Sequence, residues 1–124
     1  MKIVLAEREA ELMQVLWECG PSTVAEVQAH LKDELAYTTV LTMLQKLEKK
    51  GYVSHEEEGR AHRFKAVIDQ GKAQRSAVRD LAARLFKGSA ALLLAQVVSD
   101  ENLSEEDLKR IRRLIDARKR GDRT

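Results

Sequence analysis

Disulfides, a membrane span and an aromatic core are all missing from this chain. Cys19 is the only cysteine, so no cross-link can form within the 124 residues. A reducing cytoplasm is the expected location. No run of about 18 apolar residues occurs, so no membrane insertion is expected. The opening Met1-Lys2-Ile3-Val4-Leu5-Ala6-Glu7-Arg8 turns charged too soon for a signal peptide. Aromatic residues make up 4% of the chain, so its core must come from Leu, Val, Ile, Ala and Met. Abundant Ala, Leu, Arg and Glu favour helices. Catalytic patterns are missing as well. There is no Ser/His/Asp arrangement, no phosphate-cradling glycine loop and no carboxylate pair placed for acid–base work. An enzyme is therefore the least supported class, and no cofactor is implied.

A strong overall positive field is also lacking. The net charge is +2, and residues 1–68 carry nine Lys/Arg against eleven Asp/Glu. Residues 69–124 carry thirteen against nine. Any affinity of the first half for nucleic acid must come from a local patch.

What is present is a helix followed by a tight hairpin. Through Tyr37–Lys50, Val40, Leu44 and Leu47 recur at helical spacing beside Met43. The opposite face carries Thr38, Thr42, Gln45 and Lys49, with Thr39 and Lys46 at its edge. Short donor-bearing side chains of this kind suit base edges in a major groove. Gly51 follows Lys49 and Lys50 as a helix-terminating glycine. A hairpin follows, its turn holding Glu58 and Gly59, with Arg60 and Arg63 on the return strand. Tyr52, Val53 and Phe64 are its anchors to the helices.

Upstream, Glu7–Trp17 reads as a helix burying Leu12, Val15 and Leu16, broken by Gly20-Pro21-Ser22. Thr23 and Glu26 fit a capping box for a short helix over Val24–Lys32, with Val24, Val27 and Leu31 inward. The short link Asp33–Ala36 then completes a helix-turn-helix. The fold class is thus mainly α with a small β-hairpin: a winged helix-turn-helix over residues 1–68, then a helical dimerisation arm over residues 69–124.

In that arm, Gln70–Lys87 is an amphipathic helix bearing Ala77, Val78, Leu81, Leu85 and Phe86. Gly88 ends it and Ser89 can cap the next. Ala90–Val98 is apolar almost all round, including Leu92, Leu93, Leu94 and Val97, and must be covered on nearly every side. A second protomer is the expected lid. Ser104–Asp107 caps a last helix carrying Leu108, Ile111, Leu114 and Ile115. Arg118–Thr124 reads as a frayed polar tail.

Ala36-Tyr-Thr-Thr-Val-Leu-Thr-Met-Leu44, Leu47-Glu-Lys-Lys-Gly-Tyr-Val53, Glu58-Gly-Arg-Ala-His-Arg-Phe64, Leu85-Phe-Lys-Gly88 and Asp100-Glu-Asn-Leu-Ser104 together resemble the penicillinase-repressor (BlaI/MecI/CopY) family. The resemblance runs from about Leu5 to Lys119. It implies a homodimeric repressor on a palindromic double-stranded DNA operator. It places Thr39 and Thr42 at the DNA, with Thr38, Gln45 and Lys46 in neighbouring contact positions. It also implies release by cleavage in the dimerisation region, triggered by a membrane-bound sensor protease. The best-known members are cut at an Asn–Phe bond, which aligns here with Gln96–Val97. The copper-responsive branch carries a C-terminal Cys-x-Cys pair, absent from this chain.

The candidate DNA contacts are Thr38, Thr39, Thr42, Gln45, Lys46, Lys49, Arg60 and Arg63. The candidate dimer contacts are Leu81, Leu85, Leu92, Leu93, Leu94, Val97, Ile111 and Ile115. His55 and His62 face each other if Glu58-Gly59 is a two-residue turn, and do not if Glu57-Glu58-Gly59 forms a three-residue loop. Two ligands are too few for structural zinc, so no metal is expected. Cys19 reads as a small buried side chain. Two rival functions are a small-molecule-sensing winged-helix regulator and a winged helix used as a protein-interaction module.

Overall fold

The computed structural model describes residues 2–121. Its elements run α1 (Glu7–Cys19), β1 (Ser22–Thr23), α2 (Val24–His30), α3 (Tyr37–Lys49), β2 (Val53–Glu58), β3 (Ala61–Ala66), α4 (Gln70–Leu85), α5 (Ala90–Val98) and α6 (Glu105–Lys119). They form two compact units, Met1–Ala77 and Val78–Thr124. Met1 and Asp122–Thr124 lie outside the described residues, and with them the end of the expected polar tail. Arg118 and Lys119, assigned to that tail, close α6 instead.

The first unit is a winged helix-turn-helix. Leu12, Met13, Val15 and Leu16 of α1, Val24 and Val27 of α2, and Val40, Leu44 and Leu47 of α3 meet in one core. Each set follows the 3.6-residue helical period, which is why one face of each helix is apolar. Tyr52, Val53 and Phe64 close the core from the sheet side. Thr23 Oγ1 accepts the Glu26 N–H at 3.2 Å and the Glu26 carboxylate accepts the Thr23 N–H at 3.1 Å. This reciprocal cap satisfies two donors that the start of α2 would otherwise leave open. The turn between α2 and α3 is tied by Gln28 Nε2, which donates to the Leu35 carbonyl at 2.8 Å.

The sheet has three strands in the order β1-β3-β2, not two. The two residues of β1 are too few to show alternation in a sequence. They pair antiparallel to Phe64 and Arg63 because the chain leaving α1 is extended into the α2 cap. The hairpin register also differs from both alternatives above. Glu58 pairs with Ala61, so the turn is Gly59–Arg60. Gly59 sits at φ +65°, a backbone shape that glycine adopts without strain.

The first unit reaches past the expected limit at residue 68, into α4. Ser76 Oγ accepts the Ile3 N–H at 2.9 Å, Tyr52 Oη accepts the Val4 N–H at 3.0 Å, and Ala73 is buried. The N-terminal segment and the first turns of α4 thus share one packed surface. Cys19, expected inside, is exposed. It is the last residue of α1, and Gly20 then turns the chain away toward β1, leaving the side chain beyond the core.

The second unit contains the end of α4, then α5 and α6. Lys87 and Gly88 both adopt positive φ between α4 and α5. Ser89 Oγ accepts the Leu92 N–H at 3.1 Å to start α5. Ser104 Oγ accepts the Asp107 N–H at 3.0 Å to start α6. No residue of α5 or α6 is fully buried within the protomer. No single helix among the described residues is long and apolar enough to cross a membrane.

Candidate nucleic-acid interface

Burying Val40, Leu44 and Leu47 fixes which face of α3 looks outward. Residues at 100° steps then bring Thr38, Thr39, Thr42, Gln45, Lys46 and Lys49 onto one arc, and all six are exposed. Their hydrogen-bonding states differ. Thr42 Oγ1 donates to the Thr38 carbonyl at 2.8 Å, so its proton is used within the helix. The Leu35 carbonyl, one turn before Thr39, is already occupied by Gln28. The Thr38 and Thr39 hydroxyls and the Gln45 amide have no hydrogen-bond partner among the described residues. Lys46 and Lys49 make no ion pair there either. The face therefore presents uncommitted donors, two cations and a threonine methyl.

Lys50 does not join them. Its Nζ bonds Glu9 Oε1 at 2.8 Å, and Glu9 is only 3% exposed. The same oxygen accepts the Ala6 N–H at 2.8 Å. Burial pushes the Glu9 carboxyl pKa up, but the Lys50 and Ala6 hydrogen bonds and the charges of Lys50 and Lys46 outweigh it, so the net shift is downward. Glu9 was not singled out in the sequence. The available signal was its place three residues before Leu12, where a polar residue sits on an otherwise buried face.

The wing carries Glu56, Glu57 and Glu58 on β2, and β3 answers each of them. Lys65 reaches Glu56 at 3.9 Å, His62 reaches Glu57 at 3.8 Å, and Arg63 Nε bonds Glu58 at 2.6 Å. Arg63 also donates to the Pro21 carbonyl at 3.1 Å and lies 3.4 Å from Glu26. The hydrogen bond and charge of Glu58, and the charge of Glu26, raise its pKa further. Arg63 is thus held within the wing and against the start of α2. Arg60 is different: it occupies the turn itself, exposed, with no ion pair among the described residues.

The two histidines reach each other by a route that neither turn alternative described. His55 pairs with Phe64 across the ladder, and His62 is its diagonal neighbour on the same face. Their rings stack at 4.7 Å with an 18° interplanar angle. His55 Nδ1 lies 2.6 Å from Glu48 Oε2, linking the end of α3 to β2. Glu48 gave no signal in the sequence, because the pair depends on the strand register. Among the described residues no group of three or more His, Cys, Asp or Glu is arranged to hold a metal ion.

The apolar residues of the arm sit at the surface. Leu85 is 72% exposed and Leu92 54%, and Leu81, Leu94, Val97 and Ile115 are exposed too. Leu93 and Ile111 are half-buried, and Gln96 is exposed in mid-helix beside Val97. Val78, Leu108 and Leu114 add to the exposed set.

An outward polar helix face beside a basic-tipped β-hairpin defines a DNA-binding winged-helix regulator. The chain belongs to the penicillinase repressor family, whose model matches residues 5–117, and it is accordingly a transcriptional repressor. The penicillinase repressor of Bacillus licheniformis is 24% identical over 117 residues, covering 93% of this chain and 91% of that protein. The transcriptional regulator BlaI of Mycobacterium tuberculosis is 42% identical over 66 residues, 51% of this chain and 48% of its own. Among solved structures, the DNA-binding domain of the repressor BlaI matches with a TM-score of 0.50 and 32% identity, over 56% of this chain and 90% of that one. A MarR family protein from Bacillus stearothermophilus matches at TM-score 0.53 and 20% identity, over 96% of this chain and 76% of that one. At that identity the likeness is one of fold alone.

Proposed function

We propose that the protein acts in the cytoplasm as a homodimeric repressor on a palindromic operator. The observation that carries this reading is the exposed arc of α3, where Thr38, Thr39, Thr42, Gln45, Lys46 and Lys49 face outward together. With α3 in the major groove, Gln45 and the threonines read base edges and the lysines reach phosphates. Arg60 at the wing tip contacts the backbone, and Arg63 holds the wing in place. The dimer forms through Leu81, Leu85, Leu92, Leu93, Leu94, Val97, Ile111 and Ile115. Burying several such side chains at about 1.5–3 kcal/mol each suffices for tight association. Pairing two weak half-site binders raises operator affinity through effective concentration.

Breaking the dimer is therefore the efficient release step. Cleavage within Ala95–Val98, at Gln96–Val97 by family alignment, would do it, with a membrane-bound sensor protease as the expected trigger. The segment is helical, so a protease that takes an extended substrate must wait for local opening.

Selection of bound duplexes from a random pool, with sedimentation of the free protein, tests the proposal. A palindromic consensus and a dimer at micromolar concentration are expected. Selected sites without two-fold symmetry, or a monomer, would reject it.

A further inference from the structure

The net positive charge of this repressor lies in its second unit, not in its reading head. Residues 1–77 carry eleven Lys/Arg against twelve Asp/Glu, whereas residues 78–124 carry eleven against eight. Within the second unit they concentrate on α6. At 100° per residue, Lys109, Arg110, Arg112, Arg113 and Lys119 fall on one half of that helix, where the acids are Glu105, Glu106 and Asp116. All five are exposed, and none makes an ion pair among the described residues. Leu108, Ile111, Leu114 and Ile115 occupy the opposite arc. A solvated helix face ordinarily pairs its charges at i,i+4. This one sets Glu105, Glu106 and Asp116 at that spacing from Lys109, Arg110 and Arg112, yet no ion pair forms there among the described residues, and the cations stay in excess, five against three, over roughly 15 Å of axis.

We infer that the basic face of α6 is a second contact surface for duplex DNA, binding phosphates without regard to sequence. The inference rests on the repressor reading above and extends it to a second element. Three features favour this occupant. The charge is opposite to that of a polyanion. Three of the five cations are arginines, whose planar guanidinium matches a phosphate bidentately. The apolar arc that an interfacial helix would insert into lipid carries Ile111 and Ile115, which the proposed dimer contact uses. In this scheme α3 supplies sequence preference, while α6 supplies much of the salt-sensitive, sequence-independent affinity. The split fits a reading head that is not itself positive.

The test compares the full chain with Lys109→Gln/Arg110→Gln/Arg112→Gln/Arg113→Gln. Helical signal and sedimentation of the variant establish that it is folded and assembled. Binding to a long duplex of arbitrary sequence is then measured against salt. The variant should bind that duplex at least tenfold more weakly at low salt. Its log–log salt slope should be shallower by about 0.9 for each phosphate it no longer neutralises. Its base preference on selected operators should not change. Arg110→Lys/Arg112→Lys/Arg113→Lys keeps the charge and should retain most of the affinity. An unchanged slope and affinity in the glutamine variant would overturn the inference and leave a solvated face. Phosphatidylglycerol vesicles that bind the wild type but not the glutamine variant, with DNA binding intact, would assign the surface to lipid instead. A wild type that binds no duplex at all would remove the repressor reading itself, and this inference with it.

Discussion

At the scale of single residues, the decisive side chains are those whose partners lie far along the chain. Glu9 is a buried carboxylate held by Lys50 and the Ala6 N–H. Its pKa is lowered on folding, despite the opposing effect of burial. The stability it contributes is therefore present above the ordinary carboxylate pKa and is lost as pH falls through the lowered value. Glu9→Gln should cost about 1–3 kcal/mol at neutral pH and make urea midpoints less sensitive to acid. Equal acid sensitivity in both proteins would show that other carboxylates set that limb. The wing arginines divide in the same way. Arg60→Ala should weaken binding to every sequence and reduce the salt slope by about 1, with stability unchanged. Arg63→Ala removes the bonds to Glu58, Glu26 and Pro21, so it should also lower the thermal midpoint. A change of base preference at one position in Arg60→Ala would make the wing a base reader.

At the scale of elements, caps and turns set where each helix starts and stops. Lys87 occupies the left-handed region at φ +53°, a conformation that costs a non-glycine residue roughly 1–2 kcal/mol. Lys87→Gly should therefore be neutral to stabilising by about 1 kcal/mol after the entropy of the freer unfolded chain is counted. Lys87→Val, β-branched at the same φ, should be clearly destabilising. Chemical denaturation of the two variants checks the order, and a reversed order would show that the turn relaxes. The outward arc of α3 makes a separate prediction. Thr42→Ala and Gln45→Ala leave Val40, Leu44 and Leu47 untouched, so the fold should persist while the selected consensus changes. The same consensus in both variants would place base reading elsewhere.

At the scale of the whole molecule, two units share one purpose through assembly. Leu92 is more than half exposed on α5. Leu92→Asp should release monomers in sedimentation, with operator affinity lower by a factor on the order of 10² or more. A dimer that survives the substitution would move the interface off this face. A chain cut at Gln96–Val97 should behave similarly. Its first unit should stay folded, because the core of that unit lies wholly before Ala77. Undiminished operator affinity in the cut protein would remove proteolysis as the release step.

The helices, their caps, the wing and the outward face of α3 were legible in the sequence, because the signals that encode them act over a few residues. A period of 3.6, a Thr or Ser three residues before an acid, and a glycine after the last helical residue are local facts. Tertiary packing decided the rest. The turn at Gly59–Arg60 follows from the register that lets Val53 and Phe64 both reach the core, and the same register stacks His55 on His62. Two-residue β1 exists only because β3 offers it an edge. Glu9 is interior because Lys50 and the Ala6 N–H meet its carboxylate there, and Cys19 is exterior because the chain turns away after it at Gly20. The first unit extends into α4 because Ile3, Tyr52 and Ser76, far apart in the chain, close one surface. Each of these depends on which distant groups meet, and no local pattern specifies that.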